Sequence, residues 1–96
     1  MKKQQILQLL RDYKLSNAER LKIQSLGVFG SVARDMAEEG SDVDIVIRIS
    51  EPDLFLLVGI KNDLEDLFHR KVDIVTYRES MNTFLKRRID KEAVYV

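Results

Sequence analysis

Apolar side chains recur at helical spacing in three segments of the chain. The first is residues 3–13, the second opens after the turn at residues 50–53, with Pro52 at or near its first position, and the third is residues 80–91. Each segment predicts an amphipathic helix that packs one face on a sheet. The apolar positions are Ile6, Leu9, Leu10 and Tyr13 in the first segment, Leu57, Ile60, Leu64, Leu67 and Phe68 in the second, and Met81, Phe84, Leu85 and Ile89 in the third.

The segments between these helices have the composition of strands. Residues 43–49 are the clearest, because β-branched side chains alternate along them and share one face. Residues 23–29 and 71–77 are also strand-prone, and residues 93–96 predict a short closing strand. Residues 16–19 match a capping box and predict a short helical turn, and residues 31–39 predict a short helix closed by Gly40. The order of elements favours an α+β fold, a small mixed β-sheet with helices packed on it, in one domain over residues 1–96.

The composition excludes several kinds of site. The 96 residues include no cysteine and one histidine, which removes disulfides, thiolate zinc sites and a cysteine nucleophile. Hydrophobic residues make up 45% and charged residues 33%, as in an ordinary globular domain. Because the uninterrupted apolar runs are much shorter than a membrane span and the first residues are polar, we expect a cytoplasmic protein without a membrane segment.

The net charge of zero is the sum of unequal parts. Residues 35–54 contain seven acidic side chains and one basic one, whereas the segments on either side are more basic. Without a uniform basic face, the chain is not expected to bind nucleic acid directly, since that binding depends on neutralising phosphates. The acidic middle fits either a cation site or a solvated loop.

A glycine and a serine at the end of a predicted strand point to an anion. Gly30 lets the backbone turn sharply and lets a ligand approach closely. Ser31 begins the next predicted helix, where free backbone N–H groups and the helix dipole favour a phosphate. Arg34, one helical turn further on, either contacts a phosphate or pairs with Asp35 or Glu38. The Gly-Ser pair taken alone also fits a simple turn.

Three carboxylates complete the candidate site. Asp42 and Asp44 share one face of an extended segment and repel each other unless a hard cation such as Mg2+ lies between them. Asp73 interrupts an apolar strand, where a carboxylate is costly unless it is paired or bound to a metal. If the two strands are neighbours, the three acids converge in a two-metal site, with Asp44 bridging the ions and Asp73 positioning or deprotonating a hydroxyl. A capped loop and an edge residue are the structural alternatives.

These residues resemble a known family. Gly30-Ser31, ten residues, then Asp42-Val43-Asp44 is the signature of the polymerase-beta-type nucleotidyltransferase superfamily. The longer stretches 26–34 and 41–47 look like the minimal nucleotidyltransferases of bacteria and archaea. Many of these small catalytic domains are antitoxins encoded beside a HEPN-domain RNase toxin. The resemblance covers roughly residues 6–96.

The resemblance implies a nucleotidyltransferase fold and an activity. It implies an enzyme that uses Mg2+, as two ions, and ATP to transfer AMP to a tyrosine hydroxyl of the toxin, which silences the toxin. By the same carry-over, Gly30 and Ser31 hold the triphosphate, Asp42 and Asp44 bind metal, and Asp73 matches the third family carboxylate. The expected partner is the HEPN-domain toxin, in a hetero-oligomer with this chain.

One position departs from the family pattern, and two other functions remain open. Asp35 stands where the family typically has glycine, so its carboxylate either slows nucleotide binding or faces solvent. One alternative function is a non-catalytic antitoxin that neutralises the toxin by occlusion. The other is a nucleotidyltransferase for a small molecule or an RNA, which the short chain and the neutral charge disfavour. Phe55 and Leu56, outside the main stripe of their helix, predict a surface for a partner.

Overall fold

The structure is a computed structural model that describes residues 1–38 and 40–96. Helices and strands alternate along it, and the chain begins with a long helix and closes with a two-residue strand. In order, the elements are α1 (Lys3–Leu21), β1 (Ile23–Phe29), α2 (Gly30–Ala33), β2 (Val43–Ile49), α3 (Leu54–Phe68), β3 (Val72–Thr76), α4 (Thr83–Glu92) and β4 (Val94–Tyr95).

The four strands form one mixed sheet in the order β3-β2-β1-β4. β1 pairs antiparallel with β2 and with β4, whereas β2 and β3 are parallel and joined through α3. The expected α+β fold with a small mixed sheet is confirmed. The short β4 lies so close to β1 that a Cβ at Gly27 would be only 2.6 Å from the Val94 carbonyl oxygen.

The two faces of the sheet are covered unequally. On one face, the alternating apolar residues of β2, such as Ile45, join α1 and α3 in the main core, which includes Leu10 and Leu64. On the other face, Phe29 and Val46 form a small separate cluster with Ile89 of α4. The even-numbered residues of β2 lie on this second face, so α4 packs beside the predicted site.

A partly buried hydrogen bond joins the two helices on the first face. The Tyr13 hydroxyl in α1 donates to Asp63 Oδ2 in α3 at 2.8 Å. Burial, with the neighbouring Asp63 carboxylate, raises the pKa of Tyr13 well above its ordinary value. The hydroxyl therefore keeps its proton and acts as a donor.

In the described part of the chain, none of the helices has both the length and the hydrophobicity that crossing a membrane requires.

The helix boundaries differ from the prediction at three places, one of which is the start of α4 at Thr83 instead of residue 80. Helix α1 runs without interruption to Leu21, so the separate turn predicted at residues 16–19 is wrong. Inside the helix, the Asn17 side chain donates to the Tyr13 carbonyl at 2.9 Å instead of capping a new start. Helix α2 ends at Ala33, much earlier than predicted, because Asp35 adopts a positive φ of 58°. Glu39, at the predicted end of that helix, lies outside the described residues.

The burial predicted for three apolar side chains also needs correction. Leu67 and Phe84 are exposed, the latter with 83% of its surface accessible, so neither belongs to the core. Leu56 packs partly against the main cluster, whereas its neighbour Phe55 is 86% exposed, as predicted. The helical period was right in α3 and α4, but the buried stripe leaves out Leu67 and Phe84 and takes in part of Leu56.

Candidate active site

The turn after β1 brings the backbone of Gly30 against the side chain of Asp44. Gly30 has φ 71°, in the left-handed region that favours glycine. A Cβ at this position would overlap the Asp44 carboxylate, so any side chain here would force that carboxylate to move. Ser31 follows within α2 and is partly exposed. The sharp turn predicted at Gly30 is confirmed. The group that approaches it closely is the Asp44 side chain, and the approach of a ligand stays a prediction.

The strand register places two of the three predicted acids side by side. Asp44 in β2 lies opposite Phe29 in β1 and is the partner of Asp73 in the parallel strand β3. Asp42 immediately precedes β2, two residues from Asp44. Asp42 and Asp73 are exposed and Asp44 is partly buried. The two strands are therefore neighbours, as the convergence of the three acids requires.

The charges around Asp44 are unbalanced towards negative. Burial raises the pKa of Asp44, and the carboxylates of Asp73 and Asp42 raise it further. The guanidinium groups of Arg88 and Arg34 oppose this effect. A cation placed among the acids would relieve both the desolvation and the repulsion.

Arg34 has a partner that the sequence did not suggest. Its Nη1 lies 3.0 Å from Glu92 Oε1, so the pairing with Asp35 or Glu38 that we considered is wrong. Glu92 Oε2 accepts a hydrogen bond from the Gly30 backbone N–H at 3.1 Å. Glu92 ends α4 and is 62 residues away in sequence, so it reaches this turn only through the packing of that helix.

Arg88 and Glu92 are the site residues that sequence reasoning missed. Arg88 Nε lies 3.9 Å from Glu92 Oε2, and its guanidinium lies over the Phe29 ring, 5.7 Å from the centroid. The only sequence signal was the opposite-charge pair at a spacing of four residues on a predicted helix. That spacing is typical of a solvated helix face and did not indicate contact with the turn after β1.

Comparison with known proteins places this geometry in a family. Residues 10–96 match the model of the nucleotidyltransferase domain. The chain belongs to this family of nucleotidyltransferases. A protein of Methanocaldococcus jannaschii named as a protein adenylyltransferase is 37% identical over 93 residues, which is 96% of this chain and 95% of that protein. The protein adenylyltransferase MntA of Thermococcus cleftensis is 34% identical over 94 residues, 97% of this chain and 94% of its own length.

Solved structures agree with this nucleotidyltransferase fold. A minimal nucleotidyltransferase superposes with a TM-score of 0.79 at 32% identity, over 98% of this chain and 95% of that one. Two toxin–antitoxin complexes show the same fold at lower identity. One, with AMP-PNP, has a TM-score of 0.72 at 24% identity over 99% of this chain and 72% of that one. The other, an MNT antitoxin with a tri-AMPylated HEPN toxin of Shewanella oneidensis, has 0.62 at 23% over 97% and 66%.

The donor set of this nucleotidyltransferase fits Mg2+. Asp42, Asp44 and Asp73 supply only carboxylate oxygens, the ligands that Mg2+ prefers, and their charges act together on Asp44. Within residues 1–38 and 40–96, no three acidic or histidine side chains are grouped tightly enough to hold an ion alone. Because Mg2+ usually keeps waters and takes substrate phosphates besides one or two carboxylates, a closed protein cage is not required. The shared metal site therefore stays a prediction.

Proposed function

We propose that this nucleotidyltransferase transfers AMP from ATP to a tyrosine hydroxyl of a HEPN-domain toxin and so acts as its antitoxin. The observation that carries this proposal is the contact between the Gly30 backbone and the Asp44 carboxylate, with Asp73 in register beside it. Donors for a phosphate and ligands for a metal are thereby adjacent. The relatives named as protein adenylyltransferases support the choice of a protein as the acceptor.

The residues would divide the work in two groups. Gly30 and Ser31 hold the triphosphate, with Arg34 adding a guanidinium beside the Gly30 N–H. Asp42, Asp44 and Asp73 would hold the Mg2+ ions, which neutralise phosphate charge when bound. On the acceptor side, the Asp73 carboxylate is exposed at the end of the acidic group that lies in β3, so it can orient a hydroxyl that arrives from solvent.

The proposed transfer balances as a substitution at phosphorus. The tyrosine oxygen forms a bond to the α-phosphorus of ATP, and the bond from that phosphorus to the bridging oxygen of the β-phosphate breaks. Pyrophosphate leaves with the electron pair, and the hydroxyl proton passes to the Asp73 carboxylate. Arg34 stabilises the negative charge that accumulates on the leaving phosphates.

Direct transfer to a purified partner tests the proposal. The chain is incubated with ATP, Mg2+ and the HEPN toxin encoded beside it, and the toxin is analysed by intact-mass and fragment mass spectrometry. We expect one or more AMP groups on tyrosine. The double variant Asp42→Asn, Asp44→Asn should slow the transfer by at least about 100-fold, because it removes the charges that hold the metal.

The variant Asp66→Asn is the matched control. Asp66 is exposed on α3, which packs on the opposite face of the sheet, so its replacement should leave the transfer rate unchanged. A toxin that gains no mass on any side chain would contradict the proposal. If the double Asp variant still neutralises and binds the toxin as well as the wild type, the protein acts by occlusion instead.

A further inference from the structure

The groups proposed to hold the triphosphate already have an anionic partner within the chain. One carboxylate, that of Glu92, accepts the Gly30 N–H through Oε2 at 3.1 Å and pairs with Arg34 through Oε1 at 3.0 Å. The Glu92 side chain is 13% exposed, so the contact is sheltered by the surrounding residues. It is the point at which α4 joins the turn after β1.

A carboxylate and a phosphate place the same demand on these groups. In each group, negatively charged oxygens bonded to one central atom accept hydrogen bonds from an N–H and a guanidinium. A single backbone N–H carries one proton and cannot donate fully to two anions. A phosphate oxygen that accepts from the Gly30 N–H must therefore replace the Glu92 carboxylate at that donor.

We propose that Glu92 is an internal competitor of the nucleotide, so that ATP binds only when its phosphates displace the Glu92 carboxylate from Gly30 and Arg34. This inference rests on the proposed function, because it takes Gly30 and Arg34 as triphosphate ligands. It adds a regulatory step to the site: affinity for the nucleotide depends on how α4 is positioned.

Arg88 lowers the free energy needed for this exchange. Its Nε lies 3.9 Å from Glu92 Oε2, one helical turn earlier on α4. When Glu92 leaves Gly30, its carboxylate keeps a cation within reach instead of becoming an unpaired charge. Arg88 also lies where its charge acts on Asp44, so it connects the displaced carboxylate to the site.

The size of the effect follows from population arithmetic. The apparent Kd equals the intrinsic Kd divided by the fraction of molecules in which the phosphate ligands are free. If Glu92 occupies them in about nine molecules of ten, it weakens nucleotide binding about tenfold. Removing its charge should recover a large part of that factor.

The test compares AMP-PNP binding, with Mg2+, to the wild type and to Glu92→Gln by titration calorimetry. Glutamine keeps the size of the side chain and an acceptor oxygen but not the charge. We expect Glu92→Gln to lower the Kd about 3- to 10-fold. Glu92→Asp, which keeps the charge but withdraws it by one methylene, should lower the Kd in the same direction. Both are measured below the melting temperature that each variant shows by circular dichroism.

Glu79→Gln is the matched control for net charge. Glu79 pairs with Lys86 and Arg48 on the surface and makes no contact with Gly30 or Arg34 in the structure, and its replacement changes the net charge by the same amount. Its Kd should stay within about twofold of the wild type.

An unchanged or higher Kd in folded Glu92→Gln, with binding by the wild type, would overturn the competition alone. It would assign Glu92 to holding the turn in place. Failure of the wild type and of both Glu92 variants to bind AMP-PNP would contradict the proposed function together with the competition.

Discussion

Gly30 at the start of α2 and Asp35 just after its end both have a positive φ, for different reasons. Two features favour glycine at position 30: its φ is 71°, and a Cβ would overlap the Asp44 carboxylate. Asp35 has φ 58° and an exposed side chain, so only the backbone conformation limits the residue there. Aspartate tolerates this region better than most residues, which explains how it replaces the glycine typical of the family.

Asp35→Gly should therefore stabilise the protein. Glycine adopts a positive φ without a Cβ penalty, and this gain exceeds the larger entropy of the unfolded chain. We expect the free energy of unfolding to rise by about 0.5–1 kcal/mol, measured by urea denaturation.

Asp12→Gly provides the opposite control for Asp35→Gly. Asp12 is exposed within α1, where glycine is a poor helix former, so the same substitution should lower the free energy of unfolding by about 0.5 kcal/mol. A loss of stability in Asp35→Gly would show that the Asp35 side chain makes a favourable interaction that outweighs its backbone strain.

The predictability of the site differs from residue to residue. Gly30 and the acids at 42 and 44 lie within one short motif, so their spacing alone predicts a shared site. Asp73 was predictable from a carboxylate in an apolar strand. Glu92 was not, because its contact with Gly30 depends on the docking of α4 across 62 residues of chain, which no local pattern encodes.

At the scale of elements, strands were predicted better than helix ends. The cores of β1, β2 and β3 coincide with the apolar segments, because burial on a sheet requires such runs. The long α1 was predicted as two pieces because Ser16 and Asn17 are typical of caps, and tertiary packing overrides that preference. The length of α2 depended on one positive φ at Asp35, which the sequence alone does not fix.

The packing also predicts which helix is held least firmly. α1 and α3 share the main core, whereas α4 contributes one fully buried apolar side chain, Ile89, to the small cluster with Phe29 and Val46. Local opening is expected where few buried contacts hold an element. Because α4 carries Arg88 and Glu92, its opening would control access to the turn at Gly30.

Ile89→Ala should loosen α4 selectively. Truncating this fully buried side chain should lower the free energy of unfolding by about 2–4 kcal/mol, and the lost contacts are those that hold α4 on the second face of the sheet. Hydrogen exchange followed by mass spectrometry should show amides of residues 83–92 exchanging at least about tenfold faster, with smaller changes in α1 and α3.

Ile60→Ala is the matched control for Ile89→Ala. Ile60 is 1% exposed in the main core, so its truncation should speed exchange throughout α1 and α3. If Ile89→Ala instead accelerates exchange equally in all helices, the molecule opens as one unit, and α4 does not open independently of the rest.

At the scale of the whole molecule, the neutral net charge conceals a local imbalance. Asp44 and Asp73 are side by side in the sheet, the charge of Asp42 also acts on Asp44, and the guanidinium groups of Arg34 and Arg88 oppose these acids. Two divalent ions would more than offset the three carboxylates, and the positive charge that results would attract a triphosphate. The overall charge says little about the ligand, whereas the placement of charge on the second face of the sheet predicts it.

The described helices leave the acceptor side of the site without an element that would position a hydroxyl. α1 and α3 cover the opposite face, and α4 contacts the turn where the nucleotide is proposed to bind. Orientation of two reactants contributes a large part of a rate, so the acceptor must bring its own docking surface.

We therefore expect folded HEPN toxin to be modified at least about 100-fold faster than a peptide with the same tyrosine, at equal concentration. Mass spectrometry of both acceptors in one reaction checks the ratio directly. Heat-unfolded toxin separates docking from local sequence, and equal rates for peptide and folded toxin would mean that these 96 residues select the tyrosine themselves.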